Sequence, residues 1–209
     1  MDYATLVTNI QNFLEDDSAE LSASIDQIIT QAEDMIFQRL PNLPCYRQTS
    51  SADNNLAAGT ADYVVPTARM IRQVSVVTSN VTRYLNHRVD SYLRDYWPNA
   101  TLQGTPEFYS TKSAGTSGTT ITIAPTPSAA DPYLVDFIAP EAGLSSSNTN
   151  NWIGDNAENV LLSACLYEAS AFLKAGETLA LYKTQFDEAV GLLVQEMQRD
   201  YAAEYNGGL

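Results

Sequence analysis

The 209-residue chain has one histidine, two cysteines and only 11 basic side chains, and each shortage removes a class of function. His87, in "YLNHRV", has neither a serine or cysteine nucleophile nor a second ligand beside it, so it suits neither a hydrolytic triad nor a metal centre. Cys45 follows a proline in a loop and Cys165 sits inside an apolar helical run, contexts that read as two reduced thiols rather than a disulfide. No apolar run approaches the ~20 residues that cross a bilayer. The opening "MDYATLVTNI" has no basic region, so a signal peptide is not expected. Against 25 acidic residues the few cations leave a net charge of −14. Repulsion then replaces the counterion-release drive of phosphate binding, which argues against a nucleic-acid-binding module. It does not argue against a protein past which DNA slides.

Catalytic patterns are scarce as well. "SAGTSGTT" is glycine-rich, but no lysine follows its second glycine and it separates two strand-like runs, so it reads as a hairpin loop rather than a phosphate cradle. Glu15, Asp16 and Asp17 cluster where one helix ends and another begins, where negative charge suits a helix N-terminus. No enzyme, cofactor or metal site is expected.

What is present is a globular composition, 44% apolar and 17% charged, in a length that fits one domain. Residues 1–59 read as N-terminal helices and a loop. Leu6, Ile10, Phe13 and Leu14 share one face; after the "EDDS" break, with Ser18 as N-cap, Leu21, Ile25, Ile28, Ala32, Met35 or Ile36, and Leu40 continue at helical spacing until Pro41. Residues 60–138 switch to strand patterns ("ADYVV", "IRQVSVVTS" with "TRYLNHRV" as its partner, "PEFYST", "TTITIAP", "YLVDFIAP"), interrupted by a short helix, "VDSYLRDYW". Residues 139–151 form a polar linker. Residues 152–209 return to helices and a tail, with a helix at 156–173 apolar nearly all round, a break at Gly176, and a long stripe through Leu179, Tyr182, Phe186, Leu193 and Met197. The expected fold is α+β: a bundle of the N- and C-terminal helices with an inserted small, mostly antiparallel β-sheet, and a core containing Leu161, Leu162, Cys165, Leu166 and Phe186.

Aromatics concentrate in "DYWPNATLQGTPEFYS". Trp97 and Tyr109 suit a carbohydrate-binding platform, but Pro98 ends a helix and Gly104 turns the chain, which favours a packed structural corner of Tyr96, Trp97, Pro98, Phe108 and Tyr109, with Trp152 as a further structural aromatic.

The order of segments carries a resemblance: "QAEDMIFQRL", then "YVVPTARMIRQVSVV", then Asp-Tyr-Trp-Pro followed by Gly-x-Pro-x-Phe-Tyr and "IAPTP", then "SNTNNWIGDNAENVLLSACLYEASAFLKAGETLALYKTQFDEAV". In this order the chain resembles the adaptor (connector) proteins at the head-to-tail junction of tailed bacteriophages. Gly154 departs from the pattern, standing where an apolar residue is expected. The resemblance implies a structural protein of the virion neck, made in the host cytoplasm. It implies a ring of twelve copies beneath the portal protein, with a tail or nozzle protein below and DNA passing through the lumen without specific binding. Another neck or tail-completion protein is the nearest alternative. In the resembling adaptors the C-terminal segment reaches the portal, which here marks Tyr201, Tyr205 and Leu209 as portal-docking residues.

Overall fold

Short, local signals set the first two helices. Asp2 caps α1 (Tyr3–Leu14) by accepting the Thr5 N–H, and Ser18 caps α2 (Ala19–Arg39) through the Leu21 N–H, as its position before an apolar stripe predicts. Between them Glu15 takes a left-handed conformation (φ 51°) that closes α1. Hydrogen bonds from Tyr3 to Asp26 and from Gln11 to Ser22 set the two helices antiparallel. The computed structural model describes residues 1–50, 54–115 and 118–206, with side chains described as far as 199. The remaining helices are α3 (Asp90–Tyr96), α4 (Trp152–Asn156), α5 (Glu158–Phe172) and α6 (Gly176–Asn206).

The chain divides into two compact units, one of residues 1–41 and 141–209, the other of residues 42–140. In the helical unit α5 is central and packs on α1, α2, α4 and α6. Being surrounded explains why its apolar residues run round the whole helix: Val160, Leu161, Ala164, Cys165, Leu166 and Ala169 are all buried. Leu162, expected in the core, is only half-buried. On the facing helices Leu6, Ile10, Leu21, Ile25, Ile28, Ala32, Ile36, Tyr182, Phe186 and Leu193 are buried. Phe13, placed on the α1 core stripe by spacing, is instead 58% exposed in the last turn of α1. The break before α6 also differs from expectation. Lys174, not Gly176, takes the left-handed conformation (φ 56°), and Gly176 opens the next helix.

Among the described residues the β unit places ten strands in three sheets, where one small sheet is expected. The first sheet has the order β1 (Arg47–Thr49), β10 (Tyr133–Ile138), β3 (Met70–Thr78), β4 (Val81–Tyr84), all antiparallel. The second has the order β2 (Asp62–Val65), β8 (Thr119–Ala124), β7 (Phe108–Ser113), β5 (Asn86–His87), with β5 parallel to β7. A two-residue parallel ladder joins β6 (Gln103–Gly104) to β9 (Thr126–Pro127). The stretch read as a single partner of β3 therefore splits. Leu85 turns into the core, β4 stays in one sheet and β5 joins the other. β1 falls inside the segment read as N-terminal loop, because three residues are too few to show alternation. Val74, Val76, Val135 and Phe137 from one sheet and Val65, Tyr109, Ile121 and Ile123 from the other form one apolar core. The "SAGTSGTT" segment is the β7–β8 connection. Gly118 there has φ 82°, and a Cβ would lie 2.3 Å from the Val65 carbonyl oxygen, so glycine is required.

Candidate functional site

Two places gather the chemistry that the sequence singles out. The first is an aromatic corner of the β unit. On α3, Tyr92 and Tyr96 are one helical turn apart and their rings stack, with centroids 6.0 Å apart and planes within 6°. Phe108, at the start of β7, meets both edge-on, at 5.6 Å and 4.9 Å. Such pairs contribute roughly 0.5–1.5 kcal/mol each beyond the area they bury. Trp97 caps the C-terminus of α3, lies 6.3 Å from Tyr96 and donates its indole N–H to the Leu102 carbonyl at 3.1 Å. Gly104 allows this close packing, since a Cβ there would sit 3.0 Å from Pro125 and 3.6 Å from the Trp97 ring. Pro98 follows the cap and is exposed.

Strand alternation separates the next pair. Phe108 lies half-buried against α3, whereas Tyr109 points into the core and is 3% exposed. The Tyr109 ring meets His87 at 5.1 Å. Trp97 and Tyr109 therefore form no joint sugar-binding platform: one is half-buried with its indole N–H bonded to backbone, and the other is core. Two participants escape a sequence reading centred on residues 95–110. Tyr92 is one, and Arg88 is the other, its guanidinium 5.6 Å from the Tyr92 ring and 5.8 Å from Phe108. The four-residue spacing of Tyr92 and Tyr96 along α3, with Arg88 just before its N-cap, is the signal that finds them. Tyr96 donates to Glu107 at 3.1 Å, and that hydrogen bond raises its phenol above the usual range.

Trp152 belongs to the helical unit, apart from this corner, and is half-buried at the start of α4. Around it lies the second place, a carboxylate clasp. Glu33 on α2 accepts the Leu144 N–H at 3.0 Å and the Asn151 amide at 2.8 Å. Asn151 in turn caps α4 by accepting the Gly154 N–H at 2.8 Å, and Glu141 accepts the Trp152 N–H at 3.0 Å. The segment read as a polar linker is thus pinned to α2. Burial pushes the Glu33 carboxyl up to about 7, helped by the charges of Glu141 and Asp34 and opposed by the two hydrogen bonds it accepts. Its signal in the sequence is a carboxylate one turn from Ile29 on an otherwise apolar stripe. Gly154, the departure from the adaptor pattern, is buried, and a Cβ there would meet the Met1 carbonyl oxygen at 2.5 Å. Tight backbone packing explains the missing side chain.

The docking residues expected near the C-terminus fall differently. Tyr201 and Tyr205 lie on α6, which runs through Asn206, so residues 201–206 are helical rather than a tail. Their side chains and all of Leu209 lie outside the described residues. Both cysteines are thiols, and burial raises the Cys165 thiol far above its ordinary value. Among the described residues no group of three or more His, Cys, Asp or Glu could hold a metal ion, and no helix is long and apolar enough to cross a membrane.

Charge is distributed unevenly between the units. Residues 42–140 contain seven basic and seven acidic side chains; the helical unit contains four basic and eighteen acidic, and so carries the entire net charge of −14. A family model described as "SU10 adaptor protein" matches residues 1–208. No curated protein matches the chain at a significant level. The chain belongs to this family of phage head-to-tail adaptors.

Proposed function

We propose that, as a member of the phage adaptor family, this chain is a structural protein of the virion neck that assembles as a ring of twelve copies beneath the portal protein. The ring holds a tail or nozzle protein below and lets DNA pass without binding it. Portal contact runs through residues 201–209, with Tyr201, Tyr205 and Leu209 as anchors. The observation that carries the docking reading is the length of α6. Its last buried side chain among the described residues is Leu193, and the helix itself continues through Asn206, carrying Tyr201 and Tyr205. Tyrosine and leucine are good pocket-filling anchors. The acidity of the helical unit supports passage of DNA, since a lumen bearing part of that charge repels phosphates.

Deletion of residues 201–209 tests the docking segment. Helix content by circular dichroism should stay almost unchanged while capture by purified portal rings is lost. Normal capture of portal by the shortened chain would sink the assignment.

A further inference from the structure

The uneven charge leaves unpaired groups of both signs at the surface. Among the described residues, Arg83 and Arg88 of the β unit make no ion pair. Tyr92 lies beside the Arg88 guanidinium, and the neighbouring Val89 and Tyr84 are 65% and 64% exposed. On α6 of the helical unit, Glu188, Leu192 and Glu196 follow at intervals of four and share one face. Both glutamates are exposed without an ion pair, and Leu192 is 67% exposed. Gly191 beside it has open space where a side chain would stand. This face borders a groove of about 450 Å³ between α6 and the start of α5. Two carboxylates of that groove, Asp155 and Glu158, already face the Met1 amino group; Glu188 and Glu196 do not.

We infer that the Arg88–Tyr92 face of one copy's β unit docks on the Glu188–Leu192–Glu196 face of α6 in a second copy. This rests on the ring reading above and names the contact that closes it. Contact between two helical units would oppose two strongly acidic bodies. Contact between a β unit and a helical unit brings a guanidinium that has no ion pair to carboxylates that have none, and covers exposed tyrosine and valine with an exposed leucine. Arginine and tyrosine around an apolar centre are the composition of an interface hot spot, and the charges set its register. Because the two faces differ, the contact is head-to-tail, the kind that generates rings when the rotation closes.

The test uses the full chain with Tyr92 replaced by p-benzoylphenylalanine. Light and ¹⁵N-labelled copies are mixed at low ionic strength, free and on portal rings, irradiated, and their peptides identified by mass spectrometry. Mixed-isotope products should join position 92 to the α6 segment around Leu192. Arg88→Glu should reduce them at least tenfold, as should Glu188→Arg in a separate preparation. Mixing Arg88→Glu copies with Glu188→Arg copies should restore them, since unlike chains then carry matched charges. Circular dichroism identical to the parent chain shows that these exposed substitutions leave the fold intact. Mixed-isotope products that map elsewhere, or that survive both substitutions, would overturn this contact and leave the ring intact. Absence of any mixed-isotope product in both settings, with no capture by portal, would overturn the contact and the ring together.

Discussion

The two units of this protein solve the problem of internal charge in opposite ways. The helical unit draws a carboxylate, Glu33, partly out of water and uses it to hold the 141–152 segment by hydrogen bonds from neutral donors. In the β unit an exposed carboxylate is held by a charged donor instead: Asp62 on β2 accepts from Lys112 on β7 at 2.7 Å and from Thr122 on β8. A buried carboxyl loses hydration and binds its proton more tightly. For Asp62, burial acts in the same direction, but the hydrogen bonds from Lys112 and Thr122 and the lysine's charge win and lower its affinity for a proton. One unit is therefore acidic with a partly buried group that binds its proton tightly, the other neutral with a carboxylate that a lysine holds ionised. The difference can be broken at its core, titrated, or trimmed at the surface.

The largest effect comes from the helical core. Phe186 on α6 is almost fully buried, and Phe186→Ala should cost roughly 3–5 kcal/mol. Hydrogen exchange sharpens the comparison: amides of α5 and α6 should lose protection while those of β7 and β8 keep theirs. Equal loss in both would contradict the division into two cooperative units, and a cost below about 1 kcal/mol would mean that the α6 face is wrongly assigned.

Titration of Glu33 comes next. Its folded value of about 7 lies above the ordinary 4.5, so between those values the folded chain holds a proton that the unfolded chain has released. Stability from this group is thus fully present below pH 4.5 and is lost as pH rises through 7, a fall of about 3 kcal/mol. Glu33→Gln should remove that slope from the helical unit. Urea melts of both proteins at several pH values between 4.5 and 7.5 measure it; parallel pH profiles would contradict the clasp. Asp62 has the opposite sign: its lowered value adds stability above the ordinary aspartate range and loses it as pH falls.

The smallest effect belongs to the β surface. Lys112 and Asp62 are each about half-exposed, so Lys112→Met should cost no more than about 1 kcal/mol, with less effect in high salt. A loss of several kcal/mol would mean that the pair is structural in the way Glu33 is.

Much of this contrast is legible in the sequence, for identifiable reasons. The helical stripes, the Ser18 cap and the strands from "ADYVV" to "YLVDFI" are local patterns, and periodicity reads local patterns well. The splitting of "TRYLNHRV" between two sheets is a tertiary choice made at Leu85, which no alternation reveals. Phe13 shows the converse, an apolar residue at the right spacing whose side chain stays exposed. In the aromatic corner, Tyr96, Trp97 and Phe108 are conspicuous by density, whereas Arg88 and Tyr92 become partners only once α3 lies beside β7. Glu33 was hidden for a different reason. A charged residue on a helix reads as solvated unless its contacts are known, and its partners are more than a hundred positions away.

The central claim is that the chain builds a portal-bound ring, and native mass spectrometry of purified portal rings mixed with excess chain tests it most directly. The account predicts one dominant complex, with twelve copies of this chain added to each portal ring. Portal rings that emerge with no added chain, or with a scatter of single copies and no closed set, would contradict it.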